Sequence, residues 1–143
     1  MKLLAYEVDK RSFLGIFNED ETWVYPVSAA GMEYRSMKDL IREAGPSEME
    51  MLDYISKKMP GDVTGAASVE EIKVVSPIAE PDQDIICLGI NYMDHAKESA
   101  RFKKEEFSKP EKAIYFSKRV NRTTDPDGII PAHKNLTNQL DYE

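Results

Sequence analysis

Leu4, Tyr6 and Val8 alternate with Leu3, Ala5 and Glu7 at the start of the chain. A period of two marks a strand with two unlike faces, because successive side chains point to opposite sides of a sheet. The polar run Asp9-Lys10-Arg11 predicts a turn, and Phe13–Phe17 a second strand. Asn18-Glu19-Asp20-Glu21 turns the chain again into Thr22–Tyr25. Pro26, which lacks an N–H, suits the end of that third strand. These residues read as a three-stranded meander, with Trp23 as a half-buried sheet aromatic.

The period then lengthens. Met37, Leu40, Ile41 and Ala44 recur at helical spacing, and Ser36 with Asp39 forms an acidic variant of the capping box. Gly45-Pro46 is expected to stop this helix. Ser47 and Glu50 make a second box, and Leu52, Ile55 and Met59 line one face of a second helix that ends at Pro60-Gly61. Residues 60 to 68 read as a loop and Val69–Val75 as a further strand. Pro77 and Pro81 mark a connector over residues 76–83, where a domain boundary is expected. The implied fold class is α+β. A small N-terminal domain of antiparallel strands and two helices (residues 1–75) precedes the beginning of a β-rich mixed-sheet domain (residues 84–143).

Candidate chemistry gathers in Asp84–Ser99, DIICLGINYMDHAKES. Ile85, Ile86, Cys87 and Leu88 form the continuous apolar run of a buried strand, and Gly89 is expected in a tight turn with close backbone approach. Asn91 suits a helix N-cap, and Asp94 favours the free N–H groups of the first turn. The helix carries His95 and Glu98, three apart and therefore on one face. A carboxylate on one imidazole nitrogen fixes the tautomer and raises the basicity of the other, which makes a general base. The same spacing is also that of an ordinary surface pair, and taken alone it favours that reading. Arg101–Lys112 reads as a charged, solvated loop. Ala113–Phe116 reads as a strand with Lys118 and Arg119 at its end. Asp125 and Asp127 are spaced like calcium-loop ligands, but the Glu such a loop needs is missing, so a turn is expected. His133 reads as a lone loop residue.

The 143 residues carry a net charge of −7, which argues against nucleic acid or an anionic membrane surface as a partner. A few local Lys and Arg still suffice for a small anion. The single cysteine, Cys87, cannot form an intramolecular disulfide and is expected as a small core residue. The N-terminal MKLLAYEVDK lacks the apolar run of a signal peptide, and a cytoplasmic protein is expected.

The pattern G-x-N-Y-x-x-H-x-x-E, here Gly89, Asn91, Tyr92, His95 and Glu98, resembles the signature of the fumarylacetoacetate hydrolase family. Tyr115-Phe116-Ser117-Lys118 resembles the family's F-x-K segment. The resemblance continues at Ile130-Pro131 and at Leu140-Asp141-Tyr142-Glu143, the latter resembling the start of a metal-binding E-x-E. It implies that residues 84–143 open a catalytic domain and that residues 1–75 are the small domain many members carry before it. It implies catalytic roles for His95, Glu98 and Lys118, and substrate contacts at Asn91, Tyr92 and Arg119. It also implies a ligand at Glu143 for Mg²⁺ or Mn²⁺. Arg119 stands where the family commonly has Pro, a departure that suggests an extra anion contact. Residues 101–112 resemble a lid, with Phe102 and Phe107 as its apolar groups.

The activity this implies is metal-dependent cleavage of a carbon–carbon bond in acylpyruvate or β-diketo acids. His95, oriented by Glu98, would activate water, and Lys118 with the metal would stabilise the enolate released. Two alternatives stand beside it. One is an isomerase, hydratase or decarboxylase of 2-oxo acids on the same scaffold. The other is a non-catalytic N-terminal fragment or oligomerisation module. One carboxylate cannot hold Mg²⁺, so the chain is expected to be the N-terminal part of a longer enzyme, inactive alone. Strand edges and apolar faces within residues 84–143 would then be uncovered. The expected partners are a small anionic 2-oxo acid and a second copy in a homodimer.

Overall fold

The first hairpin closes at Asp9 and Lys10, both in the left-handed region with φ of 50° and 63°. Two such residues make the tight turn whose twist matches that of the flanking strands. Residues 1–89, 94, 97 and 112–139 are described in this computed structural model. They fall into two units: Met1–Ala79 together with the stretch from Thr123 onward, and Glu80–Arg122.

In the first unit the expected meander is β1 (Leu3–Val8), β2 (Arg11–Phe17) and β3 (Trp23–Pro26). The second turn is held by Asn18, whose Oδ1 accepts from the backbone N–H groups of Thr22 and Trp23, each at 3.0 Å. Short strands β4 (Ala67–Ser68) and β5 (Lys73–Val75) complete an antiparallel sheet in the order β4-β3-β2-β1-β5. The register places Leu3 opposite Ile16 and Ile16 opposite Tyr25. That row, with Leu14, meets α1 (Met37–Glu43) and α2 (Pro46–Ser56) in one core of Ile16, Tyr25, Val27, Leu40, Leu52, Ile55 and Val63. The alternate residues Leu4, Tyr6 and Val24 form a second cluster with Val8, Phe17, Ile72 and Val74. Trp23 is half-buried against the first core, as the meander reading expects. The unit is a small α+β domain.

Several local expectations are corrected. Ser36 does cap α1, its Oγ accepting from the Asp39 N–H at 3.1 Å. Gly45-Pro46, however, starts the next helix as well as ending the first: Gly45 is the N-cap and Pro46 occupies the first turn. Proline's fixed φ suits that position, where its missing N–H leaves no bond unmade. The Glu48 carboxylate accepts from the Gly45 N–H at 3.2 Å, so the helix is capped two residues earlier than Ser47 and Glu50 would place it, by the glutamate half of a box alone. The helix ends at Ser56, and Met59 lies exposed in the loop beyond. Val69–Val75 is not one strand. Ser68 Oγ accepts from the Glu70 N–H at 3.3 Å and Glu71 accepts from the Ser68 N–H at 3.4 Å. These local bonds compete with the sheet ladder and fold Val69–Glu71 into a 3-10 turn.

The second unit holds β6 (Ile85–Gly89) and β7 (Ile114–Lys118), an antiparallel pair. The continuous apolar run predicts burial on both faces, yet Ile85, Ile86, Leu88, Ile114, Tyr115 and Phe116 are all exposed, and Cys87 is only half-buried. Two strands alone cannot cover their own faces. Gly89 lies within β6, and among the described residues a Cβ there would meet Ile114 at an ordinary 3.5 Å; the turn expected after it lies outside them. Among the described residues no helix is long and apolar enough to cross a membrane.

Candidate functional site

The ladder of β6 and β7 carries the part of the predicted site that falls among the described residues. Ile85 pairs with Lys118, and Gly89 with Ile114. Lys118 is half-buried at the C-terminal tip of β7, and its Nζ lies 5.8 Å from the ring centroid of Phe116, two residues earlier on the same face. A cation over an aromatic face is attracted by the negative face of the ring. Arg119 follows immediately and is exposed. Two cations at one strand tip can receive a carboxylate or an oxyanion.

Lys118 stands at the opposite end of the ladder from Gly89, about 14 Å along the strands at the usual rise per residue. Beyond Gly89, Asp94 and Lys97 are helical, and their side chains form an exposed ion pair at 3.8 Å. Asn91, Tyr92, His95, Glu98 and the proposed metal ligand Glu143 lie outside the described residues, as do Phe102 and Phe107 of the resembled lid. Among the described residues no three His, Cys, Asp or Glu side chains come together in a way that could hold a metal ion.

The first unit contributes recesses, and among its described residues none of the predicted site residues. One, of about 510 Å³, is lined by Ile72–Val74 and Asp125–Gly128. Another, of about 280 Å³, lies between Asn18–Trp23 and Ser56–Pro60. His133 is a turn residue with φ of 44°, and its carbonyl accepts from the N–H groups of Leu136 and Thr137 at 2.7 and 3.1 Å. The turn at Asp125 is as expected, closed by Gly128 N–H donating to the Asp125 carbonyl at 3.0 Å. The Asp125 side chain, however, reaches back across the sequence to Ser76 and Lys73. Nothing in the local spacing signals that long-range contact.

A small α+β unit thus precedes a strand pair that ends in two cations. No family model matches the chain. The chain is similar over its whole length to oxaloacetate tautomerase YisK of Bacillus subtilis (strain 168), at 39% identity over 153 residues that make up 49% of that protein. It is also similar to uncharacterized proteins of Staphylococcus epidermidis, at 28% identity over 48% of their length, and of Staphylococcus aureus, at 27% over 49%. The chain spans about half the length of the curated relatives it matches.

Proposed function

We propose that the protein to which this chain contributes is an enzyme of the fumarylacetoacetate hydrolase superfamily that interconverts the keto and enol forms of a small 2-oxo acid such as oxaloacetate. The carrying observation is the 39% identity with an oxaloacetate tautomerase along the entire chain, including the stretch with the G-x-N-Y-x-x-H-x-x-E pattern. That similarity favours the isomerase alternative over carbon–carbon bond hydrolysis.

Tautomerisation asks less of a site than hydrolysis does. A proton leaves the carbon beside the keto group, the oxygen becomes an enolate, and a proton is returned to one atom or the other. No water is consumed and no carbon–carbon bond breaks. In this reading His95 takes the proton and Glu98 holds the imidazole in the correct tautomer. Lys118 faces the developing oxyanion, and Arg119, Asn91 and Tyr92 hold the substrate. Glu143 is the one residue of this chain proposed as a ligand for Mg²⁺ or Mn²⁺, an ion that would polarise the keto oxygen. The proposed assembly is a homodimer in the cytoplasm.

The test is the decay of enol-oxaloacetate absorbance with the full-length protein. Acceleration above buffer is expected, with a fall of about 10²–10⁴ in kcat for His95→Ala. The reading is lost if the enol decays at the buffer rate while an acylpyruvate is cleaved, which would restore the hydrolase assignment. Chelation with EDTA followed by Mg²⁺ or Mn²⁺ repletion tests the metal separately.

A further inference from the structure

Ile114, Phe116 and Lys118 are alternate residues of β7 and stand on one face of the strand pair. Opposed residues of an antiparallel pair share a face, so Gly89, Cys87 and Ile85 of β6 belong to the same row. Of these six residues Lys118 alone is basic and none is acidic. The row therefore brings no carboxylate of its own to the ammonium. It brings the negative face of an aromatic ring, with Lys118 Nζ over Phe116 at 5.8 Å from the ring centroid. Both residues lie on one short stretch of one strand, so the contact is local to β7.

Lysine is a flexible group to place. Its four-carbon stem gives the ammonium many positions, and choosing one of them costs side-chain entropy. A group that stabilises an oxyanion is most effective when it is fixed beforehand where the charge develops. The Phe116 ring turns about only two side-chain torsions, and its attraction for a cation reaches to about 6 Å from the centroid. A ring two residues before Lys118 on the same face thus narrows the positions its ammonium takes.

We infer that Phe116 is a positioning residue for Lys118: the face of its ring holds the ammonium in place at the strand tip, ready for the oxyanion that develops on the 2-oxo acid. Phe116 touches no substrate in this arrangement and acts through Lys118. Its role in turnover rests on the one proposed above for Lys118, whereas the meeting of ring and ammonium can be read without turnover.

Mono-, di- and trifluorinated phenylalanine at position 116 of the full-length protein test this. Fluorine draws electron density from the ring face and changes the ring's size little. The series therefore weakens the attraction for a cation stepwise and leaves packing nearly intact. The kcat for enol-oxaloacetate should fall with each added fluorine, by about two- to fivefold at the trifluorinated ring, with KM unchanged. Phe116→Tyr keeps an electron-rich ring and should retain kcat, whereas Phe116→Leu should lose at least as much as the trifluorinated ring. In Lys118→Met, fluorination should no longer change the residual rate. A kcat that stays level along the series overturns the role, since a side chain that only fills space gives that result. A kcat that rises overturns it too, since the ring would then be holding the ammonium away from its work.

The fluorine resonance of the monofluorinated ring reads the contact itself. Lys118→Met should move that resonance, and Lys118→Arg, which keeps a cation at the ring, should move it less. An unmoved resonance in Lys118→Met overturns the pairing, whatever the enzyme does with oxaloacetate. If the wild-type protein leaves enol-oxaloacetate at the buffer rate, the proposed function fails instead. The fluorine series is then read on the acylpyruvate that is cleaved, and the resonance still decides whether ring and ammonium meet.

Discussion

Leu52 in α2 and Ile86 in β6 are both aliphatic residues in regular elements, yet Leu52 is 0% exposed and Ile86 is 74% exposed. The first unit contains every element its apolar stripes need. Rows from the sheet meet Leu40 and Leu52 from the helices, while the opposite rows form a second cluster. The strand pair of the second unit has apolar residues on both faces and, among the described residues, nothing that buries them. Such runs are typical of strands covered on both sides. The difference teaches that apolar patterning states a demand for burial without saying where it is met.

The comparison breaks most readily at the first unit's core. Leu52→Ala should cost about 2–5 kcal/mol, because the cavity can close only partly around a fully buried side chain. Urea unfolding followed through Trp23, the only tryptophan of the chain, reads this directly. A loss well under 1 kcal/mol would mean that the first unit is no better packed than the second.

Gly15→Ala is the next largest. A Cβ there would lie 2.6 Å from Val24 Cγ1 and 2.8 Å from Tyr6 Cε1, both in the second cluster. Crowding of that kind costs about 1–3 kcal/mol, seen in the same unfolding midpoint. A neutral result would show that this cluster yields freely.

Tyr25→Phe removes an O–H that donates to the Lys58 carbonyl at 2.7 Å, and should cost about 0.5–1.5 kcal/mol. Burial, with Asp20 and Asp62 adding to it, raises the Tyr25 phenol above its ordinary 10.0. The folded state therefore favours the neutral phenol. Its contribution is complete below the unfolded pKa and is lost as pH climbs from about 10 through the raised folded value. Wild-type stability should fall across that alkaline window, and less steeply in Tyr25→Phe. Tyr6, also raised by burial, leaves part of the slope in place.

The smallest effect on unfolding is expected where the side chains are most exposed. Ile86→Ser and Tyr115→Ser should change the stability of the chain by within about 0.5 kcal/mol, as substitutions at exposed positions usually do. They should reduce binding of a hydrophobic dye in this chain, since the substituted residues are part of an exposed apolar face. A large destabilisation would mean that this face is buried in solution.

The meander was legible because its signals are local: alternation along β1, polar turns, and Pro26 at a strand end. The cap at Ser36 was legible for the same reason. Gly45-Pro46 misled because the pair that stops one helix also suits the start of another, and only the path of the chain distinguishes the two. Val69–Val75 misled because Ser68 and Glu71 bond their own backbone more readily than the sheet does. At the candidate site, the sequence placed Lys118 and Arg119 at a strand tip. It could not give the partner of Asp125, since a contact to residues nearly fifty positions earlier leaves no trace in local spacing.

By itself, then, the sequence determined the meander, the Ser36 cap and the strand that ends at Lys118, because periodicity, caps and turn residues act over a few positions. Only the tertiary structure decided which apolar faces are covered and that Thr123 and Asp125 bond back to Lys73, Ser76 and Ala79. Burial and long-range hydrogen bonds depend on which distant segments meet, and that is a property of the folded chain as a whole.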